Sequence, residues 1–417
     1  MVNALQKYGF ISLFPRLKGL CTPENDQYTF FAHLPANIEI YRIVVHLISP
    51  CGALVHLSER LACLESNESL RQEYVNDVLK CPILMKKNIA IVAGGDSGEY
   101  VISMSSARTI KNNIDPLRYI AYTILINKDK WVYVEQNGVE HPVDKNDFSI
   151  NCGDVRIVFD CAFITIHGTP GEDGKLQGYF DLLGIPYTTS GLLASALTFN
   201  KYFCNQIVAA WGIPVARSVK ITSLQPNAAS FAMQHVSLPV FVKPNKGGSS
   251  LGTSFVKDEA QLPMAIAAAL EHDDEVLVEE FIQGRELTCG AFRKNGVAVP
   301  LPVTEIISNT DARFFDFKAK YTAGGADEIT PAQIPDSLAT FIQETTKTLY
   351  EKLELKGMAR IDYIYSNDTL FFLEANITPG MSETSIVPQQ AVAAGMTVME
   401  LFTIVIEEAI HIKHTVS

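Results

Sequence analysis

The chain has 417 residues, 47% of them hydrophobic, and a mean hydropathy of +0.12, a balance that suits a globular protein of two to four domains. A formal charge of −12 argues against nucleic acid as the main partner, because neutralising phosphates needs a basic face, and no run of about 18 uncharged apolar residues offers a membrane span. Eight cysteines, Cys21, Cys51, Cys63, Cys81, Cys152, Cys161, Cys204 and Cys289, show no Cys-x-x-Cys spacing, which reads as structural thiols in a reducing cytoplasm rather than a cysteine metal centre.

Residues 1–84 lack sustained periodicity and mix proline, histidine and aromatics without turn punctuation; half of the cysteines fall there. They read as a leader of doubtful status, disordered or upstream of a natural start at Met85. From Met85 a short polar lead enters a strand over 89–93 that ends in Gly94-Gly95. A helix follows with Val101, Met104, Ala107 and Ile110 as its apolar positions, then a strand over 119–126 and a hairpin at Asn137-Gly138. A strand over 162–166 feeds the glycine-rich run His167-Gly-Thr-Pro-Gly-Glu-Asp-Gly174 and another helix. This alternation predicts an open α/β domain with a parallel sheet over 85–186, its ligands at the carboxyl ends of strands.

A second unit, 187–284, opens with one helix over 192–211 that carries Lys201, followed by short strands, a helix over 258–271 and a strand over 276–282. The third, 285–417, has strands over 286–292 and 297–307, a helix over 338–353, two further strands and a helical tail over 387–411. Two distant segments carry most of the chemistry. The run 238–242 is a buried strand that delivers Lys243 to the loop Lys243-Pro-Asn-Lys-Gly-Gly-Ser-Ser250, whose glycines admit an anion close to backbone N–H groups. The strand-like runs around Met358-Ala-Arg-Ile-Asp362 and Leu373-Glu-Ala-Asn376 carry Asp362, Glu374 and Asn376, hard oxygen donors suited to Mg²⁺ bridging phosphates. No Walker A loop and no Gly-x-Gly-x-x-Gly accompanies them, so a nucleotide must be held in another way.

Taken in order, the His167–Gly178 run, Lys201, Lys243-Pro with Gly248-Ser-Ser250, Lys320-Tyr321, Ala359-Arg-Ile-Asp362 and Glu374-Ala-Asn376 through Pro379-Gly380 resemble the D-alanine:D-alanine ligases of the ATP-grasp superfamily. The resemblance runs from about Met85 to the C-terminus. It implies a three-domain ATP-grasp architecture, α/β in the N-terminal domain and α+β in the ATP-grasp part, with ATP between the central and C-terminal domains. It also implies a reaction: one D-alanine carboxylate attacks the γ-phosphate of ATP, and the amine of a second D-alanine attacks the resulting acyl phosphate.

By the family pattern, Lys201 and Lys243 contact ATP phosphates, and Lys320 reaches the transferring phosphoryl group. Asp362, Glu374 and Asn376 hold two Mg²⁺ or Mn²⁺ ions. Arg360 and the backbone N–H of Gly380 stabilise the developing oxyanion, the alternative for Arg360 being a structural salt bridge. Glu99 holds the ammonium of the first D-alanine in a set with Ser249 and Tyr321, and also suits a helix N-terminus. His167 lies near the first substrate's carboxylate, and Ser385 and Ile386 meet the second D-alanine. Adenine falls to the segment Glu279, Glu280 and Ile282, with Glu286 on the ribose.

Two positions depart from the pattern. Glu280 stands where lysine is common, and Ile377 where threonine is frequent. The presence of Tyr321 favours the dipeptide over a D-alanyl-D-lactate product. The resemblance further implies a homodimer and a cytoplasmic location. The competing readings are a carboxylate-amine ligase with another second substrate, and a nucleotide-binding protein without catalysis; the retained Arg360 argues against the second.

Overall fold

The computed structural model describes residues 22–24, 27–32, 41–46, 86–128, 130–248, 251–308 and 326–412. Two units divide at Lys86. In the first, β1 (Thr22–Glu24), β2 (Gln27–Ala32) and β3 (Tyr41–His46) form an antiparallel sheet in that order.

The second unit begins with β4 (Lys87–Gly94), helix α1 (Tyr100–Asn113), β5 (Tyr119–Ile126), β6 (Trp131–Val134), β7 (Glu140–Asp144), β8 (Ser149–Cys152), β9 (Val155–Ile157), β10 (Cys161–Ile164) and α2 (Lys175–Leu183). Its sheet runs β10-β4-β5-β6-β7-β8-β9. The parallel part is β10, β4 and β5, and β6 to β9 continue it antiparallel. Ile89, Ile91 and Ala93 pack on one side, while Ala90 and Val92 pack on the other, as a strand covered on both faces requires. The spacing expected on α1 holds for Ala107 and Ile110, but Val101 is 76% exposed. In its place the helix buries Ser103 and Ser106, whose hydroxyls accept from the N–H groups of Gly94 (2.9 Å) and Met381 (3.1 Å). Small polar residues let this helix approach the strand ends, a role that apolar periodicity does not show.

The single helix expected over 192–211 is two, α3 (Leu192–Phe199) and α4 (Lys201–Ala210), because Asn200 leaves helical geometry and caps the second by accepting from the Phe203 N–H at 3.1 Å. Then come β11 (Ser218–Thr222), α5 (Ala228–Met233), β12 (Val240–Pro244), β13 (Ser254–Val256), α6 (Leu262–Leu270) and β14 (Glu275–Glu280); a separate 3₁₀ turn, Glu259–Gln261, precedes α6. The antiparallel sheet β11-β14-β12-β13 buries Val240, Val242, Val276 and Val278 against α5 and α6. Strand alternation therefore turns Phe241, Lys243 and Glu279 to the opposite face.

The last sheet is built of β15 (Arg285–Lys294), β16 (Val297–Pro300), β17 (Thr304–Ser308), β18 (Ala326–Ile329), β19 (Met358–Ser366) and β20 (Thr369–Asn376), with α7 (Asp336–Lys352) before β19. Its order is β18-β17-β15-β19-β20, and β16 pairs with β15, so the run expected as one strand over 297–307 is two. Ile342, Leu349 and Tyr350 of α7 bury its outer face with Ile361 and Tyr363. The tail forms two helices, α8 (Ile386–Ala393) and α9 (Val398–Ile412), separated at Gly395, whose φ of +80° suits only a residue without a Cβ. Phe402 of α9 packs edge-on against Phe163 of β10 at 5.5 Å, so α9 closes onto the sheet that begins with β4. Among the described residues no helix is long and apolar enough to cross a membrane.

Candidate active site

The centre of the site is a strand pair. Arg360 lies opposite Asn376, and Asp362 opposite Glu374, so all four side chains share one face of β19 and β20. One step further the register slips: Tyr363 pairs with Phe372, and Leu373 is an extra residue in a β-bulge. The slip changes the phase of β20. Phe372 and Leu370 face the core, while Phe371 and Leu373 join Glu374 on the cavity side.

Arg360 donates from Nε and Nη2 to the two carboxylate oxygens of Asp362 at 2.8 and 2.7 Å. Burial opposes the guanidinium charge, but Asp362, with Glu374 and Glu328 behind it, holds the Arg360 pKa above its ordinary value. Asp362 also accepts from Thr288 and, at 3.0 Å, from the Asn376 amide. The salt bridge weighed for Arg360 is therefore present, and it holds the guanidinium at the mouth of the site. Lys201, at the first turn of α4, donates to the Gly247 carbonyl at 2.7 Å and lies 3.4 Å from Glu374. Lys243 pairs with Glu279 at 2.8 Å, their side chains only 13% and 4% exposed, and Asn205 donates to the other Glu279 oxygen.

Two cavities meet here. The larger, about 1150 Å³, has a charged end at Lys201, Lys243, Asp362 and Glu374 and an apolar end at Phe241, Phe281, Ile282, Ile364 and Phe371. Phe241 and Phe281 stand edge-to-face at 5.7 Å. Glu286 lies on the walls of both cavities. Glu280 lies on the wall of the larger cavity beside Glu279, and its carboxylate accepts from the Ser237 N–H at 2.7 Å and pairs with Arg217. Glu279 is likewise the buried partner of a lysine. The backbone N–H groups of Glu280 and Phe281 donate to Arg217 and Pro239.

The smaller cavity, about 360 Å³, is lined by Glu99, His167, Glu172, Glu328, Arg360, Asn376, Gly380, Ser385 and Ile386. Glu99, at the start of α1, lies against Gly248, where an added Cβ would come within 3.0 Å of its carboxylate. His167 is buried and its Nε2 has no partner among the described residues. Burial holds its pKa below the ordinary value; Glu99 opposes that shift and Arg360 adds to it, so the imidazole is neutral at neutral pH. At Gly380 a Cβ would press on the Ser385 hydroxyl at 2.9 Å, and that hydroxyl bonds Ser382 at 2.7 Å. Ser249, Lys320 and Tyr321 lie outside the described residues.

Two carboxylates of this cavity were not singled out by sequence. Glu172, inside the glycine-rich run, accepts from the Gly168 N–H at 2.7 Å, and burial together with Glu99 and Glu374 pushes its pKa up to about 8. Glu328 on β18 has its pKa raised by burial, which Arg360 opposes. The only signal for Glu172 was its place in that run; for Glu328 there was none, since its partner is 32 residues away in sequence, as Arg360.

The family profile described as D-ala D-ala ligase N-terminus matches residues 88–190, and that described as D-ala D-ala ligase C-terminus matches 207–407. A D-alanine–D-alanine ligase from Parabacteroides distasonis is 46% identical over 332 residues, 79% of this chain and 100% of its own length. Among solved structures, the VanG D-Ala:D-Ser ligase of Enterococcus faecalis superposes with a TM-score of 0.70 at 30% identity, over 78% of this chain and 99% of its own. A D-alanine–D-alanine ligase of Bacillus anthracis complexed with ATP gives 0.63 at 26% identity, over 80% and 100%.

Proposed function

The chain belongs to the D-alanine–D-alanine ligase family, and from that premise we infer that it is an ATP-dependent ligase making D-alanyl-D-alanine, with ADP and phosphate, for peptidoglycan precursor synthesis. The reaction proceeds through a D-alanyl phosphate. One observation carries the assignment of residues to steps: a nucleotide-sized cavity and a small polar cavity share Lys201, Asp362 and Glu374 on their walls.

At that junction a carboxylate must approach a triphosphate, which requires cations on the phosphates. Lys201 and Lys243 serve there, and the apolar end between Phe281 and Phe371 receives the base, with Ile282 supplying the backbone donor of its segment. Glu286, on the wall common to both cavities, takes the ribose. Three oxygen donors side by side on one strand face fit a hard divalent ion, so Asp362, Glu374 and Asn376 would hold Mg²⁺ or Mn²⁺, two ions per site. When bound, such ions neutralise phosphate charge and orient the transferring group.

In the small cavity Glu99 takes the ammonium of the first D-alanine, and His167 offers a ring nitrogen beside it. Arg360, fixed by both oxygens of Asp362, aims its remaining donor capacity at the carbonyl oxygen that becomes negative when the second amine attacks; the Gly380 N–H acts with it. Ser385 and Ile386 face the second D-alanine. Ser249, Lys320 and Tyr321 complete the set by family pattern. We assign 85–186, 187–284 and 285–417 as the N-terminal, central and C-terminal domains, and a cytoplasmic homodimer as the working form.

The test is phosphate release from ATP and Mg²⁺ with D-alanine, L-alanine, D-serine or D-alanine plus D-lactate, with products identified by mass. D-alanine-dependent release with the dipeptide mass is expected. Release that needs another second substrate would move the protein to a sister specificity, and nucleotide binding without release would overturn catalysis.

A further inference from the structure

We propose that Glu135, His141 and Cys152 form a second metal site, outside the two cavities of the active site, that takes a borderline transition-metal ion of the Zn²⁺ class and ties β6, β7 and β8 together. The register brings the three residues to one place. His141 on β7 lies opposite Tyr133 of β6, and Glu135 follows Tyr133 by two residues, on the same face. Val143 lies opposite Ile150, and the same register carried two residues further sets Cys152 opposite His141. One ligand atom from each lies within 4.8 Å of the other two. Among the described residues no other group of histidine, cysteine, aspartate and glutamate meets that condition. None of the three lines either cavity described above.

The hydrogen bonds of the histidine give the argument its direction. His141 Nδ1 lies 2.8 Å from the Asn151 carbonyl, an acceptor only, so that nitrogen carries a proton. Nε2 lies 2.8 Å from a Glu135 carboxylate oxygen. In a neutral ring Nε2 is also an acceptor, so two acceptors face each other and a cation must lie between them, either a second proton or a metal ion. A proton needs only these two partners. The thiol beside them supplies a third ligand of the kind that zinc-class ions prefer, and an imidazole whose other nitrogen is held by a backbone carbonyl is the usual state of a metal-ligating histidine.

The Tyr133 ring, stacked on the imidazole at 5.9 Å, fixes its plane. His141 and Glu135 side chains are 13% and 20% exposed, enough to admit an ion yet restrained enough to lose little freedom on binding. Zinc-class ions sit about 2.0–2.1 Å from nitrogen or oxygen and about 2.3 Å from sulfur, a span that three ligand atoms within 4.8 Å of one another can meet by side-chain adjustment. Binding displaces the thiol proton to solvent, and the carboxylate and thiolate then balance the ion's two charges. Water fills the fourth position.

Co²⁺ titrated into the full-length protein with a large excess of Mg²⁺ present is the direct test, because the oxygen-donor active site cannot give a thiolate-to-Co²⁺ charge-transfer band. One equivalent should produce that band, and Zn²⁺ should bleach it. Cys152→Ser should abolish the band, and Glu135→Gln should weaken Co²⁺ binding at least tenfold, both with D-alanine-dependent phosphate release unchanged. Zn²⁺ should raise the thermal midpoint of the parent protein but not of Cys152→Ser. Absence of the band in the parent, or its persistence in Cys152→Ser, overturns the proposal and leaves the His141–Glu135 contact as a hydrogen bond between strands. Either result is independent of which amino acids the ligase joins.

Discussion

Replacing Glu172 by glutamine should make the protein more stable at alkaline pH and leave it unchanged at acid pH. The carboxyl is held at the wall of the smaller cavity by one backbone N–H, at 2.7 Å from Gly168, with Glu99 and Glu374 adding negative potential that Lys201 only partly offsets. Its pKa stands at about 8 against an ordinary value of 4.5, so between these two pH values the folded chain binds a proton that the unfolded chain has lost. Stability must therefore fall as pH rises through that window, and level off above it. The full shift corresponds to about 5 kcal/mol. Because the carboxyl keeps contact with solvent through the cavity, screening reduces the expected effect to about 2 kcal/mol.

Glutamine keeps the shape and the acceptor for Gly168 but has no charge to acquire. Urea denaturation of both proteins between about pH 5 and about pH 9 isolates the effect as the difference between two curves, since other groups titrate in both. The curves should coincide at the acid end and separate progressively to about 2 kcal/mol at the alkaline end. Parallel curves would refute the reasoning, and so would a glutamine variant that is the less stable one at high pH.

Arg360→Met should lower D-alanine-dependent phosphate release by about 10²- to 10³-fold with nucleotide binding retained, as loss of an oxyanion donor does; a loss under tenfold in a steady-state assay would count against that role. Glu280→Ala should leave the KM for ATP within about twofold, because the carboxylate is bound to Ser237 and Arg217, and cost about 1 kcal/mol of stability by denaturation. A large rise in KM would return that side chain to the nucleotide. Gly357→Ala should be severely destabilising, by about 4 kcal/mol or more, since its Cβ would lie 1.7 Å from the Thr188 carbonyl oxygen at a φ of +62°; soluble yield and the thermal midpoint report it, and a normal midpoint would show that the backbone yields.

What the sequence made legible was local chemistry at strand ends. Lys243 at the end of an apolar run, and Arg360 two residues before Asp362, declare their faces through a period of two, and the structure keeps both. What it hid depends on partners distant in sequence. Asn200 breaks a pattern that reads as one helix; its cap on Phe203 is local, but Lys201 N–H and Tyr202 N–H are held by Asn245, more than 40 residues on. Val101 fits the apolar spacing of α1 but faces the small cavity, while Ser103 and Ser106 answer to backbone groups of β4 and of Met381. β8 and β9 are four and three residues long, too short for alternation to register. Glu280 was legible as part of a cavity-wall segment, but its partners Ser237 and Arg217, both more than 40 residues earlier, were not. The absence of paired cysteine spacing likewise says nothing about Cys152, whose candidate partners are its neighbours across strands and not along the chain.

The extra residue at Leu373 makes β20 a strand with two separate indices. On one side of it, counting by twos from Asn376 reaches Glu374; on the other, counting by twos from Phe372 reaches Leu370 in the core. Without the slip a single count would serve the whole strand, and moving the carboxylate by one position would turn every core side chain outward with it. The bulge uncouples the two, so the packing half of β20 can drift in sequence while the reactive half stays still. Deleting Leu373 would leave Phe372 and Glu374 consecutive, opposite Tyr363 and Asp362, with their faces unchanged, whereas a deletion on either side of the bulge would shift one half of the strand against its partners. Random single-residue deletion across 370–376 should therefore tolerate loss of Leu373 better than loss of any of its neighbours.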